Sequence, residues 1–184
     1  MTNKLKLAAA LLVIFAPHYL MADRCMAEVF YAQDEALELA FPEHNRIEKQ
    51  TFVMTGAQKE EVEKAAKVRI ESNLFTFYKG YKEDQLLGYA AIDTHMVRSM
   101  TETFMVVLTP EGASLKTVIL AFNEPPEYIA SQRWLDQFNG KNLDNRLWPG
   151  QEIHGIVGST LTANAMTAGV RKILALHKVL ISKG

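Results

Sequence analysis

Cysteine is almost missing from this chain: Cys25 is the only one in 184 residues, so no intrachain disulfide can be formed. A dominant sign of charge is missing too. Lys plus Arg total 20 against 21 Asp plus Glu, a formal net charge of -1, which leaves no overall basic field to hold nucleic acid. No apolar run reaches the roughly 20 residues that a membrane-spanning helix needs. The Gly-x-Ser-x-Gly elbow of hydrolases, the Gly-x-Gly-x-x-Gly fingerprint of dinucleotide sites and the Cys-x-x-Cys-His of haem attachment are all absent. His44, His95, His154 and His177 lack the close spacing of metal ligands, so no metal site is expected. What is present is ordinary for a globular chain: 48% hydrophobic, 22% charged and 9% aromatic residues, over a length sufficient to bury a core without staples.

The beginning of the chain stands apart. Lys4 and Lys6 precede an unbroken apolar run from Leu7 to Ala16, and Pro17 follows. Ten apolar residues behind two cations match the core of a secretory signal peptide. Cleavage is expected after Ala22 or Ala27, with Ala27 preferred, and Arg24 argues against a lipoprotein signal at Cys25. Removal of residues 1–27 takes away Lys4, Lys6 and Arg24 with one acid, Asp23, leaving 17 cations against 20 acids. The expected mature protein, residues 28–184, is mildly acidic, cysteine-free and exported to the periplasm or the outer side of the inner membrane.

No repeat, low-complexity segment or linker divides 28–184, which therefore reads as a single domain. Glu28 to Ala40 carries apolar residues at helical spacing, and Pro42 stops it; Arg46 to Met54 reads as a strand. Gly56 to Arg69 reads as a helix with Val62, Ala65, Ala66 and Arg69 along one side. Extended runs follow at Leu74–Tyr81, Gln85–Asp93, Glu102–Leu108 and Leu115–Phe122, the last two joined by a turn at Pro110-Glu111-Gly112. Tyr128 to Phe138 reads as a short helix ended by Gly140. A longer one runs to about Lys178, with Leu161, Ala165, Met166, Gly169, Val170, Ile173, Leu174 and Leu180 as its buried stripe and Asn164, Arg171 and Lys172 facing away. The fold class is α+β, an antiparallel sheet with flanking helices.

The segment Gly158-Ser159-Thr160-Leu161-Thr162 opens that last helix. Small residues at a helix mouth leave backbone N–H groups pointing outward at the positive end of the helix dipole, a seat for an anion such as phosphate. The same hydroxyls also suit plain N-capping, and the spacing alone does not separate the two roles.

These residues resemble the Ser-Gly-Ala-Thr-x-Thr segment of the FMN-binding domain family, found in the flavin-carrying G subunit of the Rnf electron-transport complex and the C subunit of the sodium-pumping NADH:quinone reductase. Phe122-Asn123-Glu124-Pro125-Pro126 is similar to the family's Glu-Thr-Pro-Gly turn, with Glu124 and Pro126 matching, and Trp134 to Lys141 is similar to the segment between the two motifs. The likeness covers roughly residues 86 to 178. It implies an FMN-binding domain-like fold, FMN joined by a phosphoester to Thr160 by a flavin transferase, and electron exchange with redox partner proteins, among them a membrane electron-transport complex. Gly158, Ser159, Leu161, Thr162, Glu124 and Pro126 are then cofactor-binding positions. The family's Asp and Ser before the motif are His154 and Val157 in this chain.

Around that core the residues suggest further contacts. Tyr128, Trp134 and Trp148 are candidates for stacking on the flavin ring, Trp148 first because it lies in a Pro-Gly loop, and His154 is a candidate donor to phosphate or ring. His95 and Arg98 lie at a strand end that could meet the flavin or a partner. The chain is expected to carry electrons and not to transform a substrate alone. The competing reading is an exported interaction module with no flavin, in which the Thr160 segment merely caps a helix.

Overall fold

The computed structural model describes residues 28–183, and the expected signal peptide, 1–27, lies outside them. Six strands form one antiparallel sheet in the order β1-β6-β5-β4-β3-β2. Strands β3 (Leu74–Lys82), β4 (Gln85–Met96), β5 (Thr101–Leu108) and β6 (Ser114–Phe122) follow one another as a meander; β2 (Arg46–Val53) closes one edge and the two-residue β1 (Glu28–Val29) lies at the other. Three of the four extended runs begin and end within one residue of the bounds expected from the sequence, and β4 runs three residues further, to Met96.

Alternation sorts the central strand β5 into two cores. Phe104, Val106 and Leu108 face one side with Phe77, Tyr89 and Ala91. Met105 and Val107 face the other with Tyr78, Ala90, Val118 and Leu120. Both sides are covered, which is why β5 shows no polar-out alternation. On the second side the cover is α1 (Gln33–Ala40), through Ala36, Leu37 and Ala40. The first side carries α2 (Gly56–Ala66), the short α3 (Gln132–Leu135) and α4 (Thr160–Leu180).

Several boundaries differ from the sequence reading. Glu28 and Val29 belong to β1, paired with Phe122 and Ala121, because the free edge of β6 takes extended backbone in preference to a helix extended toward the terminus. α2 stops at Ala66, where Lys67 adopts a left-handed conformation, φ 57°. The expected helix from Tyr128 to Phe138 is interrupted: a 3-10 turn at Pro126–Tyr128 precedes α3, and Ser131 caps α3 by accepting from the Trp134 N–H.

The largest correction concerns α4. Arg171, expected to face away, is fully buried. Its guanidinium donates to the carbonyls of Ala66, at the end of α2, and of Asp144 and Leu147 in the following loop, and it lies 4.7 Å from the Trp148 ring centre. A helix C-terminus offers unpaired carbonyls, and a planar five-donor fork satisfies several at once. Leu161, expected in the buried stripe, is 52% exposed. Gly112, at φ +89° in the β5–β6 turn, has His177 against it: a Cβ there would come within 2.4 Å of the imidazole Nδ1. His177 is buried against Tyr89 and Phe77, and burial without a charge partner pushes its pKa below the ordinary histidine value. Among the described residues no helix is long and apolar enough to cross a membrane.

Candidate functional site

Two of the three motifs meet. A cavity of about 190 Å³ is lined by Val97, Arg98, Glu124, Tyr128 and the five residues Gly158 to Thr162. The sheet makes the meeting: β4 and β5 deliver the Val97–Met100 turn, β6 delivers Glu124 just beyond its end, and the first turn of α4 closes the third side.

The mouth of α4 is unlike the starts of α2 and α3. Thr55 caps α2 by accepting from the Gln58 N–H, and the Gln58 side chain accepts from the Thr55 N–H in return. Ser159, at the N-cap of α4, makes no side-chain cap bond; its backbone is irregular, φ -127° and ψ 46°, and its hydroxyl is aimed at the Glu127 carbonyl 3.5 Å away. Gly158 precedes it at φ +81°, a left-handed conformation that strains any side chain. The first-turn N–H groups of a 21-residue helix are thus left without a side-chain acceptor at a cavity wall.

The two threonines are not equivalent. Thr162 is buried and donates its hydroxyl to the Tyr128 carbonyl at 2.7 Å. Thr160 is exposed. So the hydroxyl available for chemistry at this mouth is that of Thr160, while the hydroxyl of Thr162 ties α4 to the 3-10 turn.

Glu124 lines the cavity, yet one of its oxygens is fully engaged. Oε1 accepts from the backbone N–H groups of Arg98, Ser99 and Met100 at 3.0, 2.6 and 2.7 Å. Burial by itself raises the pKa of this carboxyl, but the three N–H donors and the nearby Arg98 charge outweigh it and hold the pKa below the usual glutamate value. Glu124 therefore shapes the turn that carries Arg98 to the cavity. No pattern in the sequence signals this contact, because the partners lie 24 to 26 residues away.

The other expected residues are distributed differently. Pro126 starts the 3-10 turn that presents Tyr128, one wall of the cavity. Arg98, named on the sequence only as a strand-end candidate, lines the cavity with its guanidinium 5.9 Å from the Tyr128 ring centre. His154 is exposed, and its backbone is pinned at both ends: the N–H donates to Gln137 Oε1 and the carbonyl accepts from Trp134 Nε1. That use buries Trp134 at the base of the 150s loop. Trp148 packs on Arg171 and does not line the cavity. Neither does His95, which lies with Nε2 3.0 Å from Glu102 Oε2. Val97, which the sequence reading does not single out, is an apolar wall residue with no local signal beyond its place after a strand. At the rim Val157 is completely exposed and Leu161 about half exposed, two apolar side chains beside an uncapped helix mouth.

The arrangement suits the phosphate end of a nucleotide. Uncapped N–H groups and the helix dipole favour an anion, the Arg98 guanidinium is offset by the Glu124 carboxylate whose Oε1 is already taken by three N–H groups, and an exposed threonine hydroxyl lies among them. At about 190 Å³ the cavity is smaller than the roughly 300–1,000 Å³ that buries a whole drug-sized ligand, so it fits that end of the molecule and not all of it. No protein-family model and no curated protein matches this chain.

Proposed function

We propose that this protein is an exported FMN-binding electron carrier whose flavin is attached through its phosphate to Thr160. One observation carries the reading: the two segments that resemble flavin-site motifs, 34 residues apart at Glu124 and Gly158, line one cavity in which Thr160 is exposed and Thr162 is not. FMN, when bound, supplies the electron-accepting ring. The chain's own residues would do the holding. The N–H groups at the α4 start and the Arg98 guanidinium neutralise phosphate charge, Gly158 lets the backbone approach, and Glu124 fixes the turn that bears Arg98. A phosphoester would turn reversible binding into a permanent tether, useful where free FMN is scarce. The partners are a flavin transferase and redox proteins, including a membrane electron-transport complex.

The test is production of the protein with a flavin transferase, followed by denaturing electrophoresis read by flavin fluorescence and by intact mass. The expected outcome is a mass increase of one FMN less water, lost in Thr160→Ala. A colourless wild-type protein under those conditions would sink the proposal in favour of an interaction module without flavin.

A further inference from the structure

The two edges of the sheet are treated differently. At the β6 edge the backbone is taken up. The Leu120 carbonyl accepts from the Phe30 and Tyr31 N–H groups, the Ser114 carbonyl from the Gly140 N–H, and the Thr117 carbonyl from Gln132 Nε2, while the Ser114 N–H donates to the Lys141 carbonyl. At the β2 edge, among the described residues, no loop, helix or side chain bonds the outer side of the strand. β2 pairs with β3 over all eight of its residues without a register shift, and it holds no proline or glycine. Such an edge is a template for another strand.

The ladder decides which groups point outward. Met54, opposite Asn73 in the continued register, donates its N–H to the Asn73 carbonyl, and antiparallel pairs alternate between bonded and non-bonded. The even-numbered residues of β2 therefore turn their backbone groups to β3, and Ile47, Lys49, Thr51 and Val53 turn theirs away from the sheet. The side chains of these four share the face on which Ile47 packs under α1; at its far end Val53 is 74% exposed beside Leu74, 58% exposed.

We propose that β2 pairs with β2 of a second copy, antiparallel about a two-fold axis through Gln50. Outward residues must meet outward residues, which puts the axis at a residue and not between two. With Gln50 on the axis, all four outward residues are matched with one another: Ile47 with Val53 and Lys49 with Thr51 of the second copy, and the reverse. An axis at Lys49 or Glu48 sets like charges face to face and leaves Val53 unmatched, and one at Thr51 leaves Ile47 unmatched. The match is self-complementary, apolar against apolar at both ends and amide against amide in the middle, which favours a second copy over a foreign strand. Charges that guard an edge are largely spent within each copy: Arg46 pairs with Glu48 and lies 4.1 Å from the Tyr81 ring centre. The two Lys49 side chains are diagonal neighbours about 7–8 Å apart on an exposed face, where water and salt screen them. No residue of β2 lines the cavity at Thr160, so the pairing is independent of the flavin reading and leaves that cavity open.

Sedimentation velocity over a concentration series tests the pairing, and a monomer–dimer equilibrium is expected. Thr51→Pro removes one outward N–H while the bonds to β3 stay in place; it is expected to weaken dimerisation at least tenfold, with cooperative thermal unfolding retained. Val53→Arg, at an exposed position, is expected to weaken it several-fold, and carries the test alone should Thr51→Pro fail to fold. Oxidised Gln50→Cys is expected to form a disulfide-linked dimer above the background that Cys25 gives in the wild type, because the axis makes these two residues a non-bonded pair with close Cα atoms; Glu48→Cys is expected not to. A protein that sediments as a monomer up to about 1 mM overturns the proposal, and the β2 edge is then guarded by its charges or kept for a foreign strand. A dimer unchanged by Thr51→Pro and Val53→Arg also overturns it, as does cross-linking at Glu48→Cys in place of Gln50→Cys.

Discussion

The two halves of α4 treat polar groups in opposite ways. From Thr167 to His177 every buried polar side-chain group but one has been given a partner: the Thr167 hydroxyl donates to the Ala163 carbonyl, the Arg171 guanidinium serves four carbonyls, that of Ala65 among them, and His177 Nδ1 lies 3.4 Å from Ser182 Oγ, with only His177 Nε2 unpaired. At Gly158 to Leu161 the reverse holds, with no side-chain cap, a glycine in a left-handed conformation, an exposed threonine and exposed apolar neighbours. Folding explains the first pattern, since a buried unpaired polar group costs about 1–3 kcal/mol. It does not by itself explain the second: α2 and α3 are capped by their own side chains, α1 behind Ala32 makes no side-chain cap bond, and the α4 start is the uncapped one that opens on the cavity. A helix start left open at a cavity wall is a place where a ligand can supply the missing acceptor.

That contrast can be broken most severely at Arg171. Replacing it with Met retains apolar bulk but strips donors from the Ala66, Asp144 and Leu147 carbonyls and removes the guanidinium from Trp148. The expected loss is about 3–5 kcal/mol in chemical denaturation, the size associated with breaking a buried charged network. Arg171→Lys should recover only part, because a single ammonium cannot reach carbonyls from two segments in a fixed fork. If flavin attachment in the folded fraction also falls, the two halves are coupled and the comparison fails.

Glu124 comes next. Glu124→Ala leaves the Arg98, Ser99 and Met100 N–H groups without their acceptor and is expected to cost about 2–4 kcal/mol, with Glu124→Gln costing less because an amide oxygen still accepts. Its folded pKa is depressed, so its contribution is complete above the ordinary carboxyl value of 4.5 and is lost as pH falls through the lower folded value. Urea midpoints measured from pH 5 downward should therefore fall less steeply in Glu124→Gln than in the wild type.

His177 acts in a higher window and with a smaller effect. Burial depresses its folded pKa from 6.5, so the neutral form is the stable one inside; stability is complete above 6.5 and declines as pH drops through the folded value. Comparing unfolding at pH 7.5 and 5.5 should show a decline in the wild type that His177→Phe reduces. An equal decline in both would mean that other groups set the acid sensitivity.

Local residue patterns reveal the strands well and the buried half of α4 poorly. The β-branched and aromatic residues of Glu102–Leu108 and the Pro-Glu-Gly turn after it are local signals, and they mark β5 and its hairpin to within a residue or two. Arg171 is misread because a single helical period assigns every charge to the solvent side, whereas α4 is packed by α2 and the 144–148 loop as well as by the sheet. The same limit applies at the site. Glycine, serine and threonine before a long apolar helix are visible as a helix start, but the use of Glu124 as a turn acceptor and of Trp148 as a cover for Arg171 depends on contacts between distant segments.

The smallest effects on stability separate the two threonines most sharply. Thr162→Val keeps the shape, removes the 2.7 Å bond to the Tyr128 carbonyl and leaves that carbonyl bare, an expected loss of about 1 kcal/mol. Thr160→Ala removes an exposed hydroxyl that makes no cap and should change stability by less than about 0.5 kcal/mol. Their effects on the flavin should run the other way: none surviving denaturation in Thr160→Ala, and most of it retained in Thr162→Val. Thermal unfolding and in-gel fluorescence on the same two samples read both quantities. A stable, fluorescent Thr160→Ala would move the attachment to another residue. A Thr162→Val that loses flavin without losing stability would identify the buried hydroxyl as the acceptor, and the division of labour between the two threonines would have to be reversed.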